Sequence, residues 1–380
     1  MSTPADHQPL KKPLKTPQVP RPSARYTPSP FFSHPYATTN LLSVLLISPT
    51  NQILLLHRVS AASSFASAHV FPGGALSKTH DGTIPAADSS ARHQDGPAYR
   101  IAAIRETFEE SGILLAKSAK TGKLFTEISD TEREEGRKAV HAGTVRFPEL
   151  MKRWGAVPDT ESLVPFTRWV TPGNVPRRFT TQMYVYFLPL GSSSGVAGGG
   201  EEEEELVIPT PTHDGGIEHT AARFLPPGRW IDLARHNRII LFPPQFFLTL
   251  LLSRYLGVTA TPSIADLARE RENVVDFLHT PRTYAGAPEV SFAEACISPI
   301  ALGQGLYGEK SHDGVGGVDK DTAVLGLDRP GREVEEQGLG RRGIREWVVT
   351  TKFKKEGPRD VDVKRREDVL SGGGKTMGKL

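Results

Sequence analysis

The chain of 380 residues holds one cysteine, Cys296. An internal disulfide and a zinc cage built from cysteines are therefore excluded, and a lone thiol suits a reducing intracellular compartment. Long apolar runs are lacking as well. The nearest approach, IILFPPQFFLTLLL at 239–252, is broken by Pro243 and Pro244 and falls short of the roughly 18 apolar residues that a membrane span needs. It reads instead as the end of a buried strand followed by a core helix from Pro243 to Leu256. Charge of one sign is also scarce in excess: 46 basic and 43 acidic side chains leave a net +3. The basic residues are dispersed along the chain, so no nucleic-acid surface is expected. No internal repeat is visible.

What is plentiful is proline, 31 residues, and glycine, 36, which signals long loops and unstructured ends around one catalytic domain. Residues 1–38 are rich in Pro, Ser and Thr with one acid, Asp6, and read as a disordered tail. An ordered domain is expected over 39–256. It starts with two apolar strands, TNLLSVLLIS and NQILLLHRV, around a Pro-Thr-Asn turn at 49–51. AHVFPGGAL ends a short strand in a glycine turn, and 77–97 is a polar loop. AYRIAAIRETFEES is the first strongly periodic helix, stopped by Gly112. Two helical stretches follow, DTEREEGRKAVHAG and FPELMKRWG, and then two strands, FTRWVTP and RRFTTQMYVYFLPL. GSSSGVAGGGEEEEE at 191–205 is a low-complexity loop whose glutamates repel one another. Residues 257–380 form an extension, partly disordered, in which REWVVTTKF at 345–353 reads as a strand.

The helix ending at Gly112 poses a physical question. Glu106, Glu109 and Glu110 lie three and four apart and so share a face. They crowd the C-terminal end, where the helix dipole penalises each exposed carboxylate by about 0.3–1 kcal/mol. Arg105, four residues before Glu109, offsets part of this. A hard divalent cation, Mg²⁺ or Mn²⁺, would offset more, because such ions prefer carboxylate oxygens and keep positions open for water and substrate phosphates. A solvated acidic face is the plain alternative.

FPGG at 71–74 followed by RETFEESGI at 105–113 resembles the signature of the Nudix hydrolase family, a glycine turn leading to a helix with the pattern R-E-U-x-E-E-x-G-U, where U is bulky and apolar. Arg105, Glu106, Glu109, Glu110, Gly112 and Ile113 match it, and Thr107 departs at the first apolar position. Two further departures stand out. The 77–97 loop splits the box, and the glutamate that the pattern places ahead of the arginine falls on Pro97, so that acid is missing or is replaced by Asp95. With LLLHR, AHVFPGG, RWVTP and LFPPQFF, residues 40–255 resemble the subgroup of acyl-coenzyme A diphosphatases.

The resemblance implies an α/β Nudix fold, a mixed β-sheet sandwiched between helices. It also implies that Glu106, Glu109 and Glu110 bind the metal, that Arg105 orients them, and that the Gly73-Gly74 turn lets backbone approach the substrate. Glu218 is the candidate general base and Arg178 a candidate phosphate contact, although an arginine at a strand edge is more often paired with a surface acid. The implied substrate is a small nucleoside diphosphate derivative of the coenzyme A type, cleaved to adenosine 3′,5′-bisphosphate and a 4′-phosphopantetheine product. Another nucleoside diphosphate derivative, or a degenerate Nudix module that binds without catalysis, are the alternatives. The N-terminal tail leans toward a mitochondrial address and the final Gly-Lys-Leu toward a peroxisomal one, leaving the organelle open.

Overall fold

Continuous apolar runs explain the main sheet. In the computed structural model, which describes residues 38–59, 66–173, 175, 177–190, 211–212, 219–302, 319 and 321–370, both faces of the central strands are buried. The first elements are β1 (Thr39–Ile47), β2 (Ile53–Arg58), β3 (His69–Val70), α1 (Pro97–Ser111), β4 (Ala116–Ser118), α2 (Asp130–His141), α3 (Phe147–Trp154) and β5 (Ala156–Pro158). Next come β6 (Val164–Val170), β7 (Phe179–Phe187), β8 (His219–Leu225), α4 (Pro227–Arg235), α5 (Pro243–Leu252) and α6 (Ile264–His279). Leu45 and Ile47 of β1, Leu55 of β2 and Val185 of β7 point into one core, while Val44, Leu46, Leu54 and Tyr184 point into the other. Strands buried on both faces read as continuous apolar runs, which is how LLSVLLI and ILLL appear in the sequence.

The sheet is mixed. Its seven strands run in the order β11-β6-β7-β1-β2-β3, with β8 also paired to β2, and β11 is Cys296–Ile297. β1 and β7 pair in parallel along their whole length, whereas β6 with β7 and β2 with β8 are antiparallel. Helix α1 covers one face through Tyr99, Ala102, Ala103, Ile104 and Phe108. Helices α4, α5 and α6 cover the other, with Trp230, Phe246, Phe247 and Val274 fully or almost fully buried. The architecture is the helix-sheet-helix sandwich that the resemblance implies.

Residues beyond Leu256 share in this core. After β9 (Thr283–Tyr284), β10 (Ala287–Pro288) and β11, a second sheet forms from β12 (Ile300–Leu302), β13 (Ala323–Gly326), β14 (Trp347–Lys354) and β15 (Gly357–Arg365). Short helices α7 (Arg332–Glu336) and α8 (Arg366–Leu370) flank β14 and β15 in the chain. Leu325, Trp347, Val349, Val361 and Val363 join the core that α5 builds against the main sheet. The strand read at 345–353 is β14, and the turn at 49–51 holds Asn51 at φ 56°. The tail over 1–37, the loop at 191–205, Glu218 and the C-terminal Gly-Lys-Leu lie outside the described residues.

Candidate active site

Helix α1 starts on Pro97, a residue that loses nothing at the first helical position because its missing N–H would have no partner there. It stops at Gly112, whose φ of 73° is the left-handed value that glycine adopts without a Cβ penalty. Between these ends the helix is almost wholly buried, Arg105, Glu109 and Glu110 included. Thr107, the polar departure from the family pattern, is fully buried and donates its hydroxyl to the Ala103 carbonyl at 2.8 Å. A satisfied hydroxyl is tolerated in an apolar position.

Arg105 organises the acids. All five of its N–H donors are used: Nε and Nη2 on the two oxygens of Asp81 (2.8 and 2.9 Å), Nη1 on Glu106 and Glu109 (2.8 and 2.9 Å), and Nη2 on the Ala75 carbonyl (3.0 Å). Burial disfavours the charge, but the Asp81 hydrogen bonds and the neighbouring carboxylates hold the guanidinium protonated more firmly than usual. Glu106 lies the other way. Burial, followed by repulsion from Glu109 and Asp81 and opposed by Arg105, pushes its carboxyl up to about 7.

The glycine turn touches the acids directly. The Gly73 amide donates to Glu110 Oε2 at 2.7 Å. A Cβ on Gly73 would lie 2.2 Å from the Leu42 carbonyl oxygen, and one on Gly74 would lie 2.5 Å from the Glu106 carboxylate. Both positions require glycine because strand and acid helix close on them from opposite sides. Glu110 Oε1 faces the ring of His219, 3.7 Å away and fully buried, and Glu109 Oε2 lies 3.3 Å from His141 Nδ1.

These contacts identify three residues that the sequence analysis did not single out: Asp81, His141 and His219. Asp81 belongs to the loop read as a polar connector, and its signal was slight, an acid beside the positive-φ Gly82 in THDG. Asp95, the expected stand-in for the box glutamate, serves elsewhere. It pairs with Arg100 at 2.6 Å and accepts from the Tyr184 hydroxyl at the other end of α1. Arg178 likewise does not join the acids among the contacts described. Its Nη2 holds both oxygens of Glu333 (2.7 and 2.9 Å), and its Nε donates to the Thr171 and Pro172 carbonyls. His57 and His69 lie with ring centroids 4.7 Å apart, His57 bonded to Thr220 and His69 driven down to about 4 by burial, His57 and Arg223.

Residues 82–250, a span that includes all of α1, match the family model of the NUDT19 Nudix domain. Over that span the chain resembles a Nudix domain. A Caenorhabditis elegans protein provisionally named nudix hydrolase 7 is 30% identical over 142 residues, covering 37% of this chain and 41% of its own length. An acyl-coenzyme A diphosphatase NUDT19 from Gallus gallus is 28% identical over 243 residues, covering 52% and 59%. The chain thus spans about half the length of the curated relatives it matches. Among solved structures, a NUDIX hydrolase from Alicyclobacillus acidocaldarius aligns over 60% of this chain and 95% of its own at 18% identity, with a TM-score of 0.43.

Nudix hydrolases generally use divalent metals, and the donors at the end of α1 suit such an ion in one respect. Glu106, Glu109 and Glu110 supply oxygen alone at the end of one helix, the donor type that such an ion prefers. Among the described residues, no three His, Cys, Asp or Glu side chains close into a ready cage. The glutamate oxygens are the donor type that a hard cation takes together with water and substrate oxygens, and they do not form a closed structural site.

Proposed function

We propose that this chain is a metal-dependent Nudix diphosphatase, with coenzyme A or an acyl-coenzyme A as its substrate. One observation carries the reading: three carboxylates at the end of α1, held by Arg105 and the Gly73 amide, in a segment matched by the NUDT19 Nudix domain. Glu106, Glu109 and Glu110 hold Mg²⁺ or Mn²⁺. When bound, the cation supplies Lewis acidity that offsets charge on the diphosphate oxygens. Arg105 keeps Glu106 and Glu109 on one side of the helix and touches no substrate, and the Gly73-Gly74 turn lets backbone approach the substrate. Glu218 takes the proton of the attacking water as its oxygen bonds to one phosphorus and the bridging P–O bond breaks. The coenzyme A preference is supported by the relatives named acyl-coenzyme A diphosphatase.

The test is cleavage of coenzyme A, acetyl-coenzyme A, ADP-ribose and a dinucleotide by the purified chain with Mg²⁺ or Mn²⁺, with products resolved by mass. Preferential release of adenosine 3′,5′-bisphosphate supports the proposal. Faster cleavage of ADP-ribose or the dinucleotide would transfer it to another nucleoside diphosphate derivative. Activity that survives in both Glu109→Gln and Glu110→Gln would overturn the metal assignment.

A further inference from the structure

The last turn of α1 must dispose of four backbone carbonyls that the helix itself leaves without partners. Here all four are met. Gly112 N–H takes Phe108 O at 2.9 Å, Thr212 N–H takes Ser111 O at 2.9 Å, and Arg137 of α2 takes the two between, with Nε on Glu109 O at 2.7 Å and Nη2 on Glu110 O at 3.1 Å. Those two carbonyls belong to the very residues whose side chains carry the acids. Arg137 is 3% exposed, and its remaining contacts are Thr212 Oγ1 at 2.8 Å and Glu134 at 3.3 Å.

One turn further along the same face of α2, His141 reaches the Glu109 carboxylate from the side opposite Arg105. Helix α2 thus grips the acid turn twice, by its backbone through Arg137 and by a side chain through His141. A cationic fork on the carbonyls also offsets the negative end of the helix dipole where the acids crowd.

We propose that Arg137 and His141 are positioning residues for the cation site, a second set supplied by α2 from outside the Nudix box. The proposal rests on the metal-dependent reading above. Arg137 sets the direction in which Glu109 and Glu110 leave the helix, and its charge makes three carboxylates tolerable there before any cation arrives. His141 holds Glu109 Oε2 while Arg105 holds Oε1, so the carboxylate is fixed between the two.

The test is Mn²⁺ binding to the full chain without substrate, followed by electron paramagnetic resonance, together with kcat and substrate KM. Wild type, Arg137→Gln, Arg137→Lys, His141→Gln and Glu109→Gln are compared. Arg137→Gln is expected to weaken Mn²⁺ binding about tenfold and to lower kcat with little change in substrate KM, and Arg137→Lys, which keeps the charge but not the fork, to recover part of both. His141→Gln, at a half-exposed position that tolerates change, is expected to weaken Mn²⁺ binding a few-fold. If Arg137→Gln loses thermal stability while Mn²⁺ affinity and kcat stay at wild-type values, Arg137 is a structural cap and the proposal fails. Should Arg137→Gln not fold, unchanged Mn²⁺ affinity in both Arg137→Lys and His141→Gln overturns it equally. A wild-type chain that binds no Mn²⁺ overturns the metal-dependent reading itself, and this proposal with it.

Discussion

Asp81 shows how a box interrupted in sequence is made whole in space. The residue at the family's glutamate position is Pro97, and Pro97 opens the helix instead of serving it as an acid. Asp81, from the far side of the same loop, supplies two carboxylate oxygens to Arg105. Its side chain is fully buried and also accepts the Ser77 amide at 2.6 Å. Breaking a buried ion pair from one side typically costs about 3–5 kcal/mol, since the surviving charge is left without its partner. Asp81→Asn is therefore expected to lower stability in urea unfolding by about 3 kcal/mol, the low end, because Asn can still accept one of the two bonds. It should also reduce kcat, as Arg105 would turn more fully onto Glu106 and Glu109. Asp95→Asn should spare kcat, since Asp95 engages Arg100 and Tyr184 at the other end of the helix. Equal kcat losses in the two variants would contradict this assignment.

At the scale of elements, the loop over 77–97 is anchored at both ends, by Asp81 near its start and by a short 3₁₀ turn, Ser90–His93, near its close. Three successive carbonyls at the end of that turn and just after it accept from arginines: Arg92 O and Gln94 O from Arg168 of β6, and His93 O from Arg341 of the extension. The imidazole of His93 is buried against Thr180 Oγ1 at 3.2 Å. Burial, then the charges of Arg168, Arg92, Arg341 and Arg178, lower its pKa from 6.5 to about 3. The unfolded chain therefore binds a proton below pH 6.5 that the folded chain refuses until about pH 3. Stability falls through this window as pH is lowered, by up to about 1.4 kcal/mol per pH unit from this one group. His69, with a pKa of about 4, acts in the same direction. His93→Gln is expected to flatten the pH dependence of unfolding between pH 6.5 and 3 without removing it, as followed by chemical denaturation at each pH. A slope equal to wild type would mean that His93 is protonated in the fold. None of this was legible in the sequence. The periodicity of AYRIAAIRETFEES and the alternation in RRFTTQMYVYFLPL reveal α1 and β7 because each pattern repeats within a few residues. A polar loop carries no period, and the groups that hold it are 24 to 248 positions away along the chain.

The same limit applies to the whole molecule. The acids, the arginine and the glycine turn could be read from one short motif, whereas Arg137, His141 and His219 reach the site through folding and carry no local signature. The extension after Leu256 was the least legible part, since β9 to β13 are only two to four residues long. Yet Leu325, Trp347, Val349, Val361 and Val363 cover apolar side chains of α4 and α5, Glu333 holds Arg178, and Arg341 reaches the turn that ends the box insertion. Removing 257–380 would uncover that core, including Phe246 and Phe247, both fully buried in the intact chain. It would also remove Glu333, which holds the buried guanidinium of Arg178. A chain ending at Leu256 is therefore expected to be recovered aggregated or without a cooperative melting transition, and inactive, although it retains every residue of the acid helix. The comparison to make is differential scanning calorimetry of that truncation beside the full chain. A sharp transition in the truncation, with the proposed activity kept at the level of the full chain, would show that the acid helix and its supports form a self-sufficient unit, with the second sheet an attachment to it.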